Sequence, residues 1–277
     1  MEAALVVEDI SKTFAGRTAL RGVSFRIERG EMVALLGASG SGKSTLMRQL
    51  NGLSCADASA TSRIVVLGRE LQAGGRLAAD VRAQRARIAM VFQQFNLVDR
   101  STVMRNVLVG AVHRLSGWRA WLRCFPQAEQ RRALAALARV GIASQAWQRA
   151  STLSGGQQQR AAISRALVQG ADIVLADEPI ASLDPSSSRR VMALLAELNR
   201  ELGVTVLVSL HQVDYAFAFC PRTIALRAGE VVYDGPTCEL TRVRLRALYG
   251  EEADEMFHPR TDPIDSQPLP DDALQAA

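Results

Sequence analysis

The chain has 277 residues with a formal net charge of +5 and is 48% hydrophobic, enough apolar sequence for one large α/β domain. No run approaches the roughly 20 apolar residues of a transmembrane helix, and the N-terminus lacks the basic and apolar regions of a signal peptide. We therefore predict a chain that stays in the cytoplasm and does not span a membrane. The four cysteines lack CxxC spacing and neighbouring histidines, which favours isolated reduced thiols over a metal site.

The first elements predicted are short strands at residues 5–7 and 20–27. After a turn, the apolar run 32–36 shows no polar alternation, which is typical of a strand covered on both faces. A Gly/Ser-rich loop at 37–42 follows. A short helix comes next, with apolar residues at helical spacing and Asn51-Gly52 as its stop signal.

Residues from about 96 to 165 have the pattern of helices joined by loops. Strands are predicted again at 173–176, 204–210, 224–226 and 231–233, with a helix at 187–202 between the first two. Alternating strands and helices predict a parallel sheet covered by helices on both faces, and the helical segment is an insertion into that sheet's sequence.

The C-terminal segment 251–277 differs from the rest in composition. It holds eight acidic residues, one arginine and four prolines, which predicts a disordered tail. The other 250 residues are correspondingly basic, as a surface for nucleic acid or anionic lipid would be. No nucleic-acid-binding motif is present, so we interpret the charge as an arginine-rich solvated surface on a protein that binds a polyanionic nucleotide.

The loop after the buried strand matches the phosphate-loop pattern GxxxxGK[ST] and has the expected strand before it and helix after it. Its glycines let backbone N–H groups point at phosphate oxygens, and the helix N-terminus adds partial positive charge. Lys43, one of only two lysines in the chain, is expected to contact the β- and γ-phosphates, and Ser44 to hold Mg²⁺. The alternative is a chance Gly/Ser turn. The predicted nucleotide-binding residues here are Gly37, Ala38, Ser39, Gly40, Ser41, Gly42, Lys43, Ser44 and Thr45.

Two acidic residues end the apolar run 173–176. In a parallel sheet beside the phosphate loop, Asp177 would lie near the metal ion and Glu178 near the γ-phosphate. We expect Asp177 to hold Mg²⁺ and Glu178 to orient the attacking water as general base. The alternative is an acidic loop that caps the next helix.

The run LSGGQ at 153–157 precedes a helix, and its glycines form a second helix start of this kind. Alone, a glycine pair opening a helix is an ordinary cap. A monomer has no use for two anion-binding helix ends, whereas in a head-to-tail dimer each chain's second site closes over its partner's γ-phosphate. The residues predicted to do so are Ser154, Gly155, Gly156 and Gln157.

These three motifs together resemble those of ABC transporter ATPases, over about residues 5–240. The resemblance implies a P-loop NTPase (RecA-like) parallel sheet core, an antiparallel β subdomain, and an α-helical subdomain inserted at about 96–165 of a domain spanning 1–250. It implies ATP and Mg²⁺ as cofactors.

The resemblance also implies roles for four further positions. Gln93 matches the glutamine that senses the γ-phosphate and Mg²⁺ and contacts the membrane partner. Asp184, in Ser182-Leu183-Asp184, matches a loop that crosses the dimer interface, and His211 matches the histidine that contacts the γ-phosphate. Phe14 stands where relatives stack an aromatic ring on adenine, often a tyrosine. The alternatives are a surface glutamine, a histidine satisfied at a strand end, and a core phenylalanine.

Longer stretches resemble the phosphonate import ATP-binding proteins, namely 92–98, 148–154, 176–185 and 210–216. Ile180 contributes to this resemblance because most importer ATPases have threonine there. None of these positions touches a transported solute. The resemblance implies a second copy of the chain, two inner-membrane permease subunits and an extracytoplasmic substrate-binding protein as partners, with the ATPase peripheral on the cytoplasmic face.

Other functions remain open at this point. The solute could be phosphate, phosphite or an amino acid, and the chain could be a regulatory ATPase of phosphonate degradation. Soluble ABC ATPases that act on DNA or ribosomes tend to have two cassettes or a long coiled-coil insertion, and this chain has neither. No nucleic-acid partner is therefore expected.

Overall fold

The fold is given by a computed structural model, which describes residues 2–115, 117 and 124–250. The acidic segment 251–277 and a short part of the predicted helical insertion lie outside the described residues, so the predicted disorder of the tail stays a prediction. Within the described residues, no helix has the length and apolar content needed to cross a membrane.

A mostly parallel sheet forms the centre of the fold. Its strands are β3 (Met32–Leu36), β7 (Ile88–Val91), β8 (Ile173–Asp177), β9 (Thr205–Leu210), β10 (Arg222–Arg227) and β11 (Glu230–Pro236). They are arranged in the order β11-β10-β3-β9-β8-β7, and only β11 is antiparallel to its neighbour. Every residue of β3, β7, β8 and β9 is buried, which explains their nearly continuous apolar sequence.

A second, antiparallel sheet packs beside the first. Its strands are β1 (Ala3–Phe14), β2 (Arg17–Glu28), β4 (Arg63–Val66), β5 (Arg69–Ala73) and β6 (Arg76–Leu77), in the order β2-β1-β4-β5-β6. The long β1–β2 hairpin closes through Ala15 and Gly16, both at positive φ. Register shifts along this pair mark bulges, which bend and twist the hairpin.

Helices cover both faces of the parallel sheet. They are α1 (Lys43–Leu50), α2 (Val81–Arg85), α3 (Val103–Leu108), α4 (Gln127–Arg139), α5 (Gly155–Gln169), α6 (Pro185–Leu202), α7 (Val213–Phe219) and α8 (Arg242–Tyr249). In the described part of the chain, 3₁₀ turns lie at Val109–Arg114, Ala143–Gln145, Ala150–Thr152 and Thr237–Glu239.

The core consists of two clusters separated by the parallel sheet. Along β9, Val206, Val208 and Leu210 pack into the cluster formed with helices α3 to α7. Leu207 faces the other way, into the cluster shared with α1 and the antiparallel sheet. Successive side chains of a strand alternate between faces, so α1 and the loop before it lie on the Leu207 side.

The predicted fold class is confirmed, with its parallel core, antiparallel sheet and helices between β7 and β8. The sequence did not predict β4, β5, β6 and β7. The first three are short and carry arginine, glutamate and glutamine, so they lack a clear alternating pattern. The fourth, β7, is only four residues long. Helix α5, which begins within the LSGGQ run, extends to Gln169.

Candidate active site

The loop between β3 and α1 is closed around the side chain of Lys43. This side chain is only 3% exposed, and its Nζ donates to the carbonyl oxygens of Gly37 at 2.7 Å and Ala38 at 3.1 Å. Helix α1 has Gly42 at its N-cap and no side-chain cap. Its first intrahelical bond is from Leu46 N–H to Gly42 O, so the three N–H groups before Leu46 remain at the helix end as anion donors.

Glycine is required at two positions of this loop. A Cβ on Gly37 would lie 2.4 Å from Ser41 Oγ and 2.7 Å from the carbonyl oxygen of Leu226. Gly42 has φ +104, and a Cβ there would lie 2.5 Å from Ala19 O. The loop is therefore pressed against both β2 and the end of β10, which fixes its backbone next to the helix end.

Burial changes the acidity of Lys43. Desolvation lowers the pKa of its ammonium group from 10.5 to about 8, and the nearby carboxylates of Glu178 and Asp177 partly oppose that shift. Glu178 Oε1 lies 3.8 Å from Lys43 Nζ. The lysine is thus still mostly charged at neutral pH but has little water around it, which strengthens its interaction with an anion.

Asp177 lies at the end of β8, facing the first turn of α1. Its Oδ1 accepts hydrogen bonds from Ser44 Oγ at 3.2 Å and from Ser209 Oγ at 2.8 Å. The fold therefore brings together Ser44 and Asp177, which were each expected to hold Mg²⁺. Ser209 was not predicted from sequence. Its only signal there is a polar residue near the end of the largely apolar run 204–210, which also contains Thr205.

Glu178 follows Asp177 and pairs with His211 from the end of the neighbouring strand β9. Its Oε1 lies 2.5 Å from His211 Nε2, and His211 Nδ1 lies 3.4 Å from Lys43 Nζ. The His211 hydrogen bond holds the pKa of the Glu178 carboxyl below its usual value, although burial acts against this shift. Glu178 is thus an ionised and largely buried carboxylate, as a general base has to be ionised at neutral pH.

The residues present fit a nucleotide with a divalent cation. Ser41 Oγ is buried without a hydrogen-bond partner in the loop, and the end of α1 provides N–H donors. A hydroxyl and a carboxylate, from Ser44 and Asp177, are the hard oxygen ligands that Mg²⁺ prefers. The described residues contain no cluster of three or more His, Cys, Asp or Glu that could hold a metal ion alone.

Two predicted residues lie at the edge of this centre. Gln93 follows the end of β7, is exposed, and lines a groove together with Gln158 and Ser182. Phe14 ends β1 with half of its surface exposed, and Lys12 Nζ lies 5.4 Å from the centre of its ring. The adjoining β1–β2 turn is near the phosphate loop, because a Cβ on Gly40 would lie 4.0 Å from Arg17 Nη2.

The residues of the LSGGQ run lie at the start of α5. Ser154 and Gln157 form a reciprocal capping box, with Ser154 N–H donating to Gln157 Oε1 at 2.9 Å. A Cβ on Gly155 would lie 3.3 Å from Leu183 Cδ2, and one on Gly156 would lie 2.7 Å from Ser187 Oγ. This helix end is therefore packed against the segment that begins α6.

Asp184 is the N-cap of α6. Its Oδ1 accepts the Ser187 N–H at 3.0 Å and the Ser186 hydroxyl at 2.6 Å, which holds the pKa of the exposed carboxyl well below its usual range. Among the described residues, no hydrogen bond or ion pair joins residues 154–157 to residues 37–44. The predicted site residues thus form two groups within one chain, one around Lys43 and one around Ser154.

Comparison with known proteins agrees with this geometry. A family profile described as ABC transporter matches residues 20–181, more than half of the chain. The chain belongs to the ABC transporter family. The membership expected from the phosphate loop, the acidic strand end and the LSGGQ run is therefore confirmed.

The curated relatives of this ABC protein share most of its length. The chain is 59% identical over 269 residues to a protein of Cupriavidus pinatubonensis, covering 97% of this chain and 94% of the relative. It is 58% identical over 254 residues to a protein of Stutzerimonas stutzeri, covering 92% of each. Both relatives are named phosphonates import ATP-binding protein PhnC. The predicted resemblance to that subfamily is confirmed.

Solved structures of ABC cassettes are similar to this ABC protein. The cassette MJ0796, in a dimeric post-hydrolysis state bound to ADP and Pi, matches with a TM-score of 0.72 and 33% identity, covering 84% of this chain and 98% of that one. The cbiO1 protein of Clostridium perfringens, part of the cbiONQ transporter complex, matches with a TM-score of 0.74 and 28% identity, covering 92% and 99%.

Proposed function

We propose that this protein is the ATP-hydrolysing subunit of an ABC importer and energises uptake of phosphonates across the inner membrane. The observation that carries the ATPase assignment is the convergence of Lys43, Ser44, Asp177, Glu178 and His211 at the ends of adjacent parallel strands. The phosphonate assignment is supported by the names of relatives 58% and 59% identical over more than nine-tenths of the chain.

In this proposal residues 1–250 form the ABC ATPase domain, with the helical subdomain at about 96–165, and hydrolysis uses the residues around Lys43. Lys43 exchanges its bonds to the Gly37 and Ala38 carbonyls for the β- and γ-phosphate oxygens of ATP, and the first-turn N–H groups of α1 bind the same anion. Ser44, Asp177 and Gln93 would hold Mg²⁺, which when bound neutralises charge on the phosphate oxygens.

Glu178 is the proposed general base. It orients the attacking water and takes its proton, while His211 leaves its bond to Glu178 and contacts the γ-phosphate. A positioned base contributes on the order of 100- to 10,000-fold to such a reaction. The remaining residues of the phosphate loop complete the nucleotide site, together with Thr45 and Phe14. Phe14 stacks on the adenine.

A second copy of the chain is the proposed partner at the γ-phosphate. The helix end at the LSGGQ run contacts the start of α6 and lies apart from the phosphate loop of its own chain. It is formed by Ser154, Gly155, Gly156 and Gln157. In a head-to-tail dimer, this helix end and Asp184 would face the partner's nucleotide. Two composite sites would then form at one interface, and ATP would hold the two chains together.

Two permease subunits are proposed to dock beside Gln93. A groove of about 670 Å³ is lined by residues that follow Gln93 in the sequence. It presents the exposed apolar side chains of Val98, Val109 and Trp147. Trp147 is 68% exposed, and Val98 is 59% exposed. Exposed apolar side chains clustered in a groove are typical of a protein-binding surface. This docking would keep the ATPase peripheral on the cytoplasmic face, with the substrate-binding protein on the other side.

The test is ATP hydrolysis by the chain reconstituted with its proposed permease and substrate-binding protein. We expect a phosphonate to stimulate hydrolysis more than phosphate, phosphite or an amino acid at equal concentration. Glu178→Gln should abolish the stimulation while ATP binding persists, and Glu197→Gln, a surface glutamate on α6, should leave it intact. Stimulation by a different solute alone would refute the phosphonate assignment and retain the importer.

A further inference from the structure

Ser209 is a fully buried serine near the end of β9, opposite Asp177 in the register of β8 and β9. Its Oγ donates to Asp177 Oδ1 at 2.8 Å and accepts the backbone N–H of Glu178 at 2.9 Å. A single hydroxyl therefore joins the side chain of the proposed metal ligand to the backbone of the proposed general base.

The hydrogen bond from Ser209 fixes the orientation of the Asp177 carboxylate. Ser44 Oγ donates to the same oxygen, Oδ1, at 3.2 Å. A hydroxyl that ligates a cation uses an oxygen lone pair and can still donate its hydrogen, so Ser44 and Ser209 would both continue to hold Oδ1 in a metal-bound site. Ser209 is the shorter of these two contacts and also bonds to the neighbouring residue.

The hydrogen bond from the Glu178 N–H to Ser209 Oγ supports an unfavourable backbone conformation at Glu178. Glu178 has φ +49, in the left-handed region that residues with a Cβ rarely adopt. Such a conformation persists only where surrounding contacts hold it, and the N–H bond to Ser209 is one of these contacts. This backbone turn directs the Glu178 side chain toward Lys43 and His211.

Ser209 is one of two polar residues in β9, and the other, Thr205, accepts the Gly30 N–H at the opposite end of the strand. The side chains of Val206, Leu207, Val208 and Leu210 are apolar and fully packed. The register neighbour of Ser209 on the other side, on β3, is Leu35. An apolar side chain at this position would suit the core equally well, but it would leave the Glu178 N–H without its acceptor.

We propose that Ser209 is a positioning residue that sets the geometry of Asp177 and Glu178 together. The proposal rests on the ATPase part of the proposed function and is independent of the transported solute. Ser209 touches neither nucleotide nor water in this role. It acts through its two neighbours on β8, and both would shift if its hydroxyl were removed.

Ser209→Ala tests the proposal, with Ser164→Ala as the matched control. Ser164 is also fully buried, and its hydroxyl bonds to the Arg160 carbonyl at 3.0 Å, within α5. We expect Ser209→Ala to lower kcat by about 10- to 100-fold, the scale of effect of a misplaced catalytic group. The Kd for ATP in EDTA should stay within about twofold of wild type, since Lys43 and the end of α1 are unchanged.

A binding measurement gives a readout apart from hydrolysis. In the wild type, the ratio of the Kd for a fluorescent ATP analogue in EDTA to that in Mg²⁺ reports how well the metal ligands are placed. Ser209→Ala should reduce this ratio at least threefold, whereas Ser164→Ala should preserve it. Ser209→Thr keeps the hydroxyl and suits a strand, and it should restore both the ratio and most of kcat.

Each outcome bears on a different claim. Wild-type kcat and a wild-type Mg²⁺ ratio in Ser209→Ala would overturn the positioning role while the ATPase assignment stands. Equal losses in Ser209→Ala and Ser164→Ala would also overturn it, because they would reflect only a lost buried hydroxyl. If Ser209→Ala does not fold, Ser209→Thr and Ser209→Cys give the same comparison, with the hydroxyl kept in one and lost in the other. A wild-type chain without ATPase activity would contradict the proposed function itself, and the Mg²⁺ ratio would still decide the role of Ser209.

Discussion

His211 Nε2 lies 2.5 Å from Glu178 Oε1, so the residues that directly follow β9 and β8 share one hydrogen bond at the centre of the site. The same histidine lies 3.4 Å from Lys43 Nζ through its other ring nitrogen. A single imidazole therefore connects the residue proposed to activate water with the residue proposed to bind the phosphates. The His211 hydrogen bond lowers the pKa of Glu178, whereas burial lowers the pKa of Lys43.

His211→Gln should change the acid side of the pH profile of ATP hydrolysis. Its hydrogen bond lowers the pKa of the Glu178 carboxyl in the folded protein, so its removal should move the acid limb of kcat/KM to higher pH. The same interaction contributes stability above the unfolded pKa of about 4.3, and this contribution is lost as pH falls through the lower folded pKa. His113→Gln, a histidine bonded to the Gly110 carbonyl, should leave the limb in place. An unshifted limb in His211→Gln would contradict the assignment of Glu178 as the base.

Lys43 should make ATP binding sensitive to alkaline pH. Burial lowers its pKa to about 8, so above that value the free protein loses the ammonium group. Binding the triphosphate then requires proton uptake, and the affinity should fall by up to about tenfold per pH unit. The measurement is the Kd for ATP in EDTA between pH 7 and 9.5. Lys43→Met should bind weakly with a flat profile, whereas Lys12→Met, which changes the other lysine, should keep the wild-type slope.

Ser154 should be needed for an ATP-dependent dimer. In a Glu178→Gln background, which binds ATP and hydrolyses it slowly, we expect ATP to produce a dimer on size-exclusion chromatography. Adding Ser154→Ala removes the hydroxyl that caps α5 and should abolish that dimer. Thr102→Ala removes the equivalent cap of α3 at a similar cost of about 1 kcal/mol and should leave the dimer intact. A dimer that survives Ser154→Ala would exclude this helix end from the interface.

Phe14 should contribute to binding of the base and leave binding of the phosphates unchanged. Its ring is half exposed at the end of β1. Loss of a base–aromatic stack costs about 1–3 kcal/mol, so Phe14→Ala should weaken ATP binding by about 5- to 100-fold. Binding of inorganic triphosphate should not change. Phe217→Ala, another half-exposed phenylalanine, is the control. Equal affinity of wild type and Phe14→Ala for ATP would assign Phe14 to structure alone.

Trp147 should matter only when the permease is present. Trp147→Ser removes the most exposed aromatic side chain of the groove at residues 98–109, and the loss of such an anchor weakens a protein interface by about 2 kcal/mol or more. We expect permease-stimulated ATPase activity to fall while the basal activity of the isolated chain is unchanged. Leu202→Ser, at the exposed end of α6, should affect neither. Undiminished stimulation would place the permease on another surface.

The sequence by itself predicted which local segments would bind anions and where most of the parallel strands lie. Glycine spacing, a lysine and a serine at the start of α1 predict a phosphate loop because these residue types act through neighbouring backbone groups. Asp177 and Glu178 were identified for the same reason, since the ends of parallel strands meet at one edge of a sheet. Each of these signals is carried by residues close together in the chain.

Only the tertiary structure decided the contacts between distant segments. Ser209 is 32 residues from Asp177, and its importance arises from strand register, which no local pattern encodes. Tyr249, buried at the end of α8, donates to the Leu36 carbonyl just before the phosphate loop, 213 residues away. A hydroxyl in a strand has the same sequence signal whether it faces water, a core carbonyl or a catalytic carboxylate. The pairing of β9 with β8 places the Ser209 hydroxyl against the Asp177 carboxylate, because side chains on one face of paired strands meet whatever their separation in sequence.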